Sequence, residues 1–334
     1  MNDLVVVPTI DVAPLLNGCD IESVAAAIDR ACREFGFFSV INHGIDPTRS
    51  EAVAALAREF FGSPTADKQQ VAMSRGGVAW RGWFPLDGEL TSGVADHKEG
   101  YYFGRELPPT DPRVAHGLPL HGPNLWPDHP AALRPAVSDY LQSLEALGHH
   151  LTRAISYALG LGADTLNDRW FRDPVVLLRL FQYPATPGAT RGVGEHTDYG
   201  FLTLLWQDAS GGLQVRSDRG WIDLPPDSSA LVCNIGDMLD RLTGGRYRST
   251  AHRVVSPTDR DRISIPFFFD PDWDARVGAL PLPGDPPPDD ADRRWDGTSV
   301  HAFDGTYGQY LMTKVAKVFP ELSAAVLPSV SEDP

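Results

Sequence analysis

The sequence predicts a mainly β fold with flanking helices, and three patterns support this prediction. Apolar residues recur at helical spacing through much of the first half of the 334-residue chain. From Val175 onward the pattern changes to short runs rich in β-branched and aromatic residues, separated by Gly, Pro and Asp. Many short strands with turn residues between them are typical of a sandwich or a barrel. The composition, 42% hydrophobic, is sufficient for a large buried core.

The helices are predicted from apolar stripes. The first stripe begins behind Asp20, a residue type that favours the N-cap position of a helix. The longest stripe carries His149 and His150, which do not face one another on a helix, so we do not expect them to share a metal. The expected helices cover residues 21–35, 50–61, 133–159 and, after the strands, 307–319.

The strands are predicted from runs bounded by turn residues. The segment from Asp285 to Asp296 is interpreted as a surface loop, because it contains three consecutive prolines. No internal repeat is visible, and no segment suggests a separate domain. The expected strands cover residues 175–181, 201–207, 213–215, 230–234, 252–255 and 263–269.

Composition limits the partners and the compartment. A formal net charge of −15 argues against binding to nucleic acid, which requires clustered Lys and Arg. No apolar run is long enough to cross a membrane, and the first residues do not resemble a secretory signal. Cys19, Cys32 and Cys233 are too few and too scattered for a disulfide framework, so we expect them to be reduced and buried. We therefore expect a cytoplasmic protein, as a monomer or small homo-oligomer, with a small-molecule substrate.

Two histidines and one aspartate have the residue types of an iron site. His196 and Asp198 stand two positions apart, so on a strand both side chains would point to the same face. His252 follows about fifty residues later and would supply a third ligand. Three such ligands on one side of a metal leave other positions open, as in non-haem Fe(II) sites that react with dioxygen. The His-x-Asp triplet alone is weak evidence, because about one is expected by chance at this composition.

A basic residue and a hydroxyl follow the second histidine. Arg262 and Ser264 lie on one face of a predicted strand, beginning about ten residues after His252. A guanidinium binds a carboxylate through two parallel hydrogen bonds, and a hydroxyl adds another. The alternative interpretation is a surface ion pair of Arg262 with Asp259 or Asp261.

In order and spacing, these residues resemble the Fe(II)/2-oxoglutarate-dependent dioxygenases, and in particular the isopenicillin N synthase-like branch. The signature of that family is His-x-Asp, about fifty residues, His, about ten residues, and then Arg-x-Ser. Other family landmarks appear in the same order over nearly the whole chain. They are Val7–Asp11, Gly36–Gly44, Phe60-Phe61, Arg81–Trp83, Gly122–Pro127, Arg179–Pro184, Gly212–Val215 and Asn234–Asp237.

The resemblance implies a double-stranded β-helix, which is a cupin-like jelly-roll core, with helices packed outside one sheet. It implies a single oxygenase domain over 1–334. Within that domain, residues 1–130 would form an N-terminal α/β region of the non-haem dioxygenase type, and residues 170–275 would form the jelly-roll core. Asn234 and Asp237, although they match family landmarks, are expected to stabilise a turn.

The cofactors that the resemblance implies are Fe(II), 2-oxoglutarate as co-substrate, and O2. The implied site residues are His196, Asp198 and His252 for the metal, and Arg262, Ser264 and Tyr183 for 2-oxoglutarate. No catalytic residue beyond the metal centre is implied. Because the ligands must be neutral imidazoles and an ionised carboxylate, metal affinity should fall in acid.

Substrate contacts are predicted from residues near the expected strands. Arg179 stands among strand hydrophobes, where a buried charge requires a partner. It either binds an anionic or carbonyl-bearing substrate or forms a structural ion pair. Four aromatic residues either line the pocket or belong to the core: Trp83, Tyr102, Phe201 and Phe268.

The leading functional prediction is an oxygenase that hydroxylates, desaturates or cyclises a small molecule and releases succinate and CO2. The abundance of Pro and Asp suggests a bacterial source, with a role in secondary metabolism or small-molecule catabolism. Two enzymatic alternatives stay open: an oxidase of the isopenicillin N synthase or aminocyclopropanecarboxylate oxidase type, without 2-oxoglutarate, and an ethylene-forming-like enzyme. A non-catalytic jelly-roll binding protein or a cupin-like isomerase is the alternative from another class, since fold alone does not determine function.

Overall fold

The computed structural model describes residues 7–188, 191–256, 259–294, 296–320 and 323–324. Most helices precede the main strands, as predicted. The helices are α1 (Ala13–Leu16), α2 (Ile21–Glu34), α3 (Pro47–Phe61), α4 (Thr65–Gln69), α5 (Pro112–Ala115), α6 (Leu133–Ala158), α7 (Thr165–Trp170), α8 (Asp237–Leu242) and α9 (Tyr307–Val318). Short 3-10 turns cover Met73–Arg75, Gly77–Ala79 and Ala291–Arg293.

The strands include all the predicted ones and several shorter ones. They are β1 (Thr9–Asp11), β2 (Phe37–Ile41), β3 (Gly82–Phe84), β4 (Leu90–Thr91), β5 (Val94–Ala95), β6 (Glu99–Gly104), β7 (Pro174–Tyr183), β8 (Arg191–His196), β9 (Leu202–Gln207), β10 (Leu213–Ser217), β11 (Gly220–Asp223), β12 (Leu231–Ile235), β13 (His252–Val255) and β14 (Arg262–Asp272).

Within the described residues, the strands form two main sheets and one hairpin. The larger sheet has the order β1-β2-β12-β9-β14-β7-β6-β3, and its central strands pair in antiparallel fashion. The smaller sheet has the order β11-β10-β13-β8, and β4 and β5 form a separate hairpin. Residues of both main sheets line one cavity. The predicted mainly β fold with flanking helices is confirmed.

The helices cover the larger sheet because their apolar faces need a partner. Helix α6 packs on α2 and α3 and also contacts β9 and β14. Gly148 of α6 lies against the ring of Phe269, where a Cβ atom would come within 2.6 Å of a ring carbon, so the helix approaches the sheet closely. The predicted N-cap is also confirmed, since Asp20 accepts a hydrogen bond from the backbone N–H of Ser23 at 2.9 Å.

Several expectations need correction. Cys32 and Cys233 are buried free thiols as predicted, but Cys19 is exposed, because it follows the short helix α1 in a surface turn. Strand β8 ends at His196, so Asp198 lies in the following loop rather than on the same strand. Among the described helices, none is long and apolar enough to cross a membrane.

Candidate metal centre

The three predicted ligands meet at one end of the smaller sheet. His196 ends β8 and His252 begins β13, and the two residues are direct partners in the antiparallel pairing of these strands. The loop after β8 turns back and brings Asp198 to the same point. Oδ1 of Asp198 lies 3.8 Å from Nε2 of each histidine. One potential ligand atom from each residue lies within 4.8 Å of the others, so a single cation can contact all three side chains.

The backbone fixes which nitrogen of each histidine faces the common point. Nδ1 of His196 lies 2.8 Å from the carbonyl oxygen of Gly194, and Nδ1 of His252 lies 3.2 Å from that of Thr250. An imidazole that donates its Nδ1–H to a carbonyl has a free electron pair on Nε2, which is the form that binds a metal. Burial lowers the pKa of both imidazoles, to about 4 for His252, where the neighbouring His196 contributes as well.

Asp198 is held in the form of a carboxylate. Its Oδ2 accepts hydrogen bonds from the hydroxyl of Thr203 at 2.5 Å and from the side-chain amide of Asn234 at 2.7 Å. Burial raises the pKa of Asp198, but the two imidazoles and these two donors outweigh burial, so the pKa lies below its ordinary value. With Oδ2 occupied, Oδ1 remains for a metal. Two imidazole nitrogens and one carboxylate oxygen on one side of the site fit Fe(II) with open positions.

Asn234 therefore has a role that the sequence interpretation missed, since that interpretation expected it to stabilise a turn. Replacing Asn234 with Ala should weaken iron binding by roughly 10- to 100-fold, the usual cost of losing an outer hydrogen-bond partner of a metal ligand. Anaerobic titration of iron against a competing chelator measures this affinity. Asn167→Ala is the control, because the Asn167 side chain bonds His149 of α6 rather than a residue of the triad. An unchanged affinity in Asn234→Ala would contradict the assigned role.

The triad lines a cavity whose wall contains residues of both main sheets. At one end, the cavity wall contains Arg262, Ser264 and Tyr183, all three predicted together. Arg262 is fully buried. Its Nε donates to the carbonyl of Gly211 at 2.7 Å and one terminal nitrogen donates to Gln207 at 3.1 Å.

The other terminal nitrogen of Arg262, Nη1, has no hydrogen-bond partner among the described residues. The expected alternative, a surface ion pair with Asp259 or Asp261, is wrong: Asp259 pairs with Arg260, and Asp261 bonds Gln182 and the backbone of Ala185. A buried guanidinium with an unpaired N–H requires an acceptor. A carboxylate is the acceptor whose geometry fits it best.

Arg179 lies in the same cavity wall. Its guanidinium is sandwiched between the ring of Tyr102, at 4.1 Å, and the ring of Phe268, at 4.6 Å. Glu89 is its nearest acidic neighbour, but the separation of 3.6 Å is too long for a hydrogen bond. Within the described residues, Arg179 makes no hydrogen bond, although its side chain is only 16% exposed. The flat faces of this cation are covered, and its edge has an ion-pair contact with Glu89 but no hydrogen bond to a described residue.

A buried ionic cluster that the sequence interpretation missed stands beside Arg179. Lys98 is 2% exposed and pairs with Glu89 at 2.8 Å and with Asp96 at 2.6 Å. The hydroxyl of Tyr102 also donates to Glu89. With Arg179, the cluster holds two cations and two carboxylates. It comes from the segment around the β4–β5 hairpin, whose strands are only two residues long and give no periodic signal.

Of the four aromatic candidates, Tyr102 and Phe268 line the cavity, and the structure places Trp83 and Phe201 outside it. The indole N–H of Trp83 donates to Glu99, and Phe201 packs against Phe171. The hydrogen bond to Glu99 and the packing on Phe171 direct these two side chains away from the cavity. Tyr199, which follows Asp198 and was not predicted, lines the cavity instead.

Two family models match the chain. Residues 7–129 match the N-terminal model described as non-haem dioxygenase in morphine synthesis, and residues 173–271 match the 2OG-Fe(II) oxygenase superfamily. A probable iron/ascorbate oxidoreductase of Dictyostelium discoideum is 42% identical, over 91% of each chain.

Other relatives carry more specific names. A 1-aminocyclopropane-1-carboxylate oxidase of Dictyostelium discoideum is 35% identical over 96% of each chain, and a homoarginine-6-hydroxylase of Arabidopsis thaliana is 33% identical over 94% of this chain and 89% of the relative. Among solved structures, a full-length Neurospora crassa protein in complex with alpha-KG (2-oxoglutarate) and thymine has a TM-score of 0.75, with 29% identity over 95% of this chain and 98% of that one. The chain belongs to the 2OG-Fe(II) oxygenase superfamily, the non-haem iron enzymes whose cofactors are Fe(II) and 2-oxoglutarate.

Proposed function

We propose that this enzyme uses Fe(II) and 2-oxoglutarate to oxidise a C–H bond of a small zwitterion, of which an amino acid is the simplest example. One observation carries the proposal. A single cavity joins the His196, Asp198 and His252 triad to buried guanidinium groups that each have an N–H without a hydrogen-bond partner among the described residues, including those of Arg262 and Arg179. Bound iron would supply the activation of dioxygen, with 2-oxoglutarate converted to succinate and CO2 as the source of electrons.

The Arg262 end is proposed to bind the distal carboxylate of 2-oxoglutarate. Arg262 is held by Gly211 and Gln207 on one edge, so its unpaired Nη1–H is already oriented. Ser264, two residues along the same strand, adds a hydroxyl in the cavity wall. Tyr183 lies opposite Arg262 on β7, and the guanidinium carbon is 4.8 Å from its ring centre. These side chains form a rigid receptor for one carboxylate.

The Arg179 end is proposed to bind the carboxylate of the primary substrate. Burial lowers the pKa of Arg179, but Tyr102 and Glu89 outweigh burial and raise it above its ordinary value, so the side chain stays charged. The two rings that cover its faces leave only the edge for a ligand, which suits a planar carboxylate.

Charge balance indicates that the substrate also carries a cation. The cluster of Arg179, Lys98, Glu89 and Asp96 is formally neutral as it stands. A purely anionic ligand on Arg179 would add one negative charge to this cluster of four residues, and an uncompensated buried charge is costly. A ligand with an ammonium or guanidinium group near Glu89 restores neutrality. The names of two relatives, a homoarginine hydroxylase and an aminocyclopropanecarboxylate oxidase, support the proposal that the substrate is an amino acid.

The test has two parts. Under anaerobic conditions, addition of 2-oxoglutarate to the iron-loaded enzyme should produce a weak visible charge-transfer band. In air, succinate release should then be screened against amino acids, each paired with its deaminated analogue, and against nucleobases. Stimulation by an amino acid but not by its deaminated partner supports the proposal. Stimulation by thymine alone would contradict the assignment of a zwitterionic substrate, but the enzyme would still be assigned as an oxygenase.

Replacing Arg179 with Gln should raise the KM for the primary substrate by roughly 30-fold or more, because a buried charge pair contributes about 2–5 kcal/mol to binding. The KM for the co-substrate, 2-oxoglutarate, should stay unchanged. Steady-state kinetics with each substrate varied in turn measures both values. Arg253→Gln is the control, since Arg253 lies on β13 but bonds Gln214 and stacks on Trp221. Equal losses for both substrates in Arg179→Gln would contradict the assignment.

A second candidate is an oxidase that binds its substrate carboxylate at Arg262 and uses no 2-oxoglutarate. The specific observation in its favour is the aminocyclopropanecarboxylate oxidase that is 35% identical over nearly the whole chain. Absence of both the visible band and succinate would favour this oxidase, and ethylene in the headspace would identify an ethylene-forming reaction. A place in bacterial secondary metabolism or small-molecule catabolism is proposed together with the leading function.

A further inference from the structure

A buried carboxylate outside the triad contacts the strand that carries His196. Asp96 is fully buried, and its Oδ1 accepts a hydrogen bond from the backbone N–H of Gly194 at 3.2 Å. The carbonyl oxygen of Gly194 lies 2.8 Å from Nδ1 of His196. We propose that Asp96 is a positioning residue for His196 and acts through the backbone of Gly194. The inference depends on the proposed function only in taking the triad as an iron centre.

Strand β8 needs such a contact because the smaller sheet holds it weakly near His196. Among the described strands it is an edge strand, paired with β13 alone, and the register between the two strands shifts just beyond the His196–His252 pair. Such irregularities interrupt the ladder of backbone hydrogen bonds. The backbone on both sides of Gly194 therefore requires support from elsewhere.

The β4–β5 hairpin supplies this support on the free side of β8. The hydroxyl of Ser92 donates to the carbonyl of Glu195, and the guanidinium of Arg191 donates to the carbonyl of Thr91. Together with the bond from Gly194 to Asp96, these contacts hold three successive parts of β8 before His196. The hairpin thus covers an otherwise open sheet edge.

Gly194 lies between the Arg191 guanidinium and Asp96. A Cβ atom at this position would lie 1.9 Å from Nη2 of Arg191, which is far inside contact distance. The backbone of Gly194 therefore packs directly against the Arg191 guanidinium, while its N–H meets Asp96. Because the N–H of Gly194 is bonded to Asp96 and its carbonyl oxygen to the ring of His196, loss of the Asp96 contact should change the position of the imidazole.

A carboxylate suits position 96 better than an amide. Oδ2 of Asp96 accepts from the hydroxyl of Thr91 at 2.5 Å and from Lys98 at 2.6 Å, while Oδ1 accepts from Gly194. All three partners are donors, so both oxygens must be acceptors. Through Lys98 and Glu89, the same carboxylate joins the wall of the substrate cavity to the strand of the iron ligand.

Asp96→Asn tests the proposal with little change in volume. The amide oxygen will turn toward the Lys98 cation, which places the NH2 group against the N–H of Gly194 and removes that hydrogen bond. Iron affinity, measured anaerobically against a competing chelator without substrate or 2-oxoglutarate, should fall roughly 10- to 100-fold. The visible band of the complex with iron and 2-oxoglutarate should also shift, since a displaced imidazole changes the ligand field.

Two controls separate positioning from general disruption. Glu89→Gln alters the same ionic cluster but leaves Asp96 bonded to both Lys98 and Gly194, so iron affinity should be retained. Asp87→Asn changes an exposed carboxylate of the same segment, which pairs with His97, and should also leave iron affinity unchanged. Unaltered iron affinity in Asp96→Asn, or an equal loss in Glu89→Gln, would overturn the proposal.

If Asp96→Asn does not fold, judged by the thermal unfolding of the metal-free protein, Ser92→Ala takes its place. That variant removes the bond to the carbonyl of Glu195 and leaves the charge cluster intact. Because Ser92 and Asp96 hold neighbouring residues of β8 against the same hairpin, the proposal predicts weaker iron binding in the same direction, and wild-type affinity would show that the hairpin segment, including Asp96, does not position His196. Because every readout with Ser92→Ala is iron binding, these outcomes are independent of whether 2-oxoglutarate is the co-substrate.

Discussion

Replacing Asp198 with Asn should abolish iron binding and, with it, the oxygen-dependent consumption of 2-oxoglutarate. The substitution keeps the shape of the side chain but removes the only carboxylate among the three residues that meet at the site. Asn234 and Thr203 both donate to Oδ2, so the amide of an Asn would either direct its NH2 group at these two donors or turn it toward the metal. Neither orientation reproduces a carboxylate ligand.

The loss should exceed the roughly 10- to 100-fold that removal of an outer hydrogen-bond partner costs, because a direct ligand and its charge are lost. Anaerobic iron titration and succinate release in air measure the two effects. Asp218→Asn is the matched control, since Asp218 lies in the turn between β10 and β11. Wild-type iron affinity in Asp198→Asn would show that the three residues do not form the metal site.

The metal site was predictable from the sequence because its ligands are tied to regular features. His196 and His252 pair directly across two neighbouring strands, so their convergence follows from the sheet. Arg262 and Ser264 lie on one strand, β14, and both line the cavity as expected. The predicted placement of Asp198 on the same continuous strand as His196 was wrong, although its convergence with the histidines is confirmed. A loop brings Asp198 to the site, and two-residue spacing alone does not determine loop geometry.

The surroundings of the ligands could not be predicted, because they depend on contacts between distant segments. Asp96 meets Gly194 nearly a hundred residues later in the chain, and Asn234 on β12 of the larger sheet meets Asp198 in the loop after β8. Glu89 and Lys98 look like ordinary surface charges in the sequence, although both are buried. Only the pairing of opposite charges makes their burial tolerable. Such pairs leave no periodic signal in a single sequence.

Replacing Arg262 with Gln should weaken 2-oxoglutarate binding by roughly 30- to 5000-fold, which corresponds to about 2–5 kcal/mol for removing one partner of a buried charge pair. The effect should be large because Arg262 is fully buried and bulk water cannot compensate for the lost charge. Iron affinity should change little, since Arg262 makes its described hydrogen bonds to Gly211 and Gln207 rather than to the triad. Titration of the visible charge-transfer band with 2-oxoglutarate measures the dissociation constant.

Arg260→Gln is the matched control two residues earlier in the chain. Its side chain is 63% exposed and pairs with Asp259 at the surface, where an ion pair contributes little. If both variants bind 2-oxoglutarate as the unmodified enzyme does, the unpaired nitrogen of Arg262 serves another ligand. In that case, loss of turnover in Arg262→Gln, together with turnover of the unmodified enzyme that yields no succinate, would favour the oxidase, because its substrate carboxylate would occupy the Arg262 end. Loss confined to Arg262→Gln would instead identify this end of the cavity as the 2-oxoglutarate site and leave Arg179 for the primary substrate.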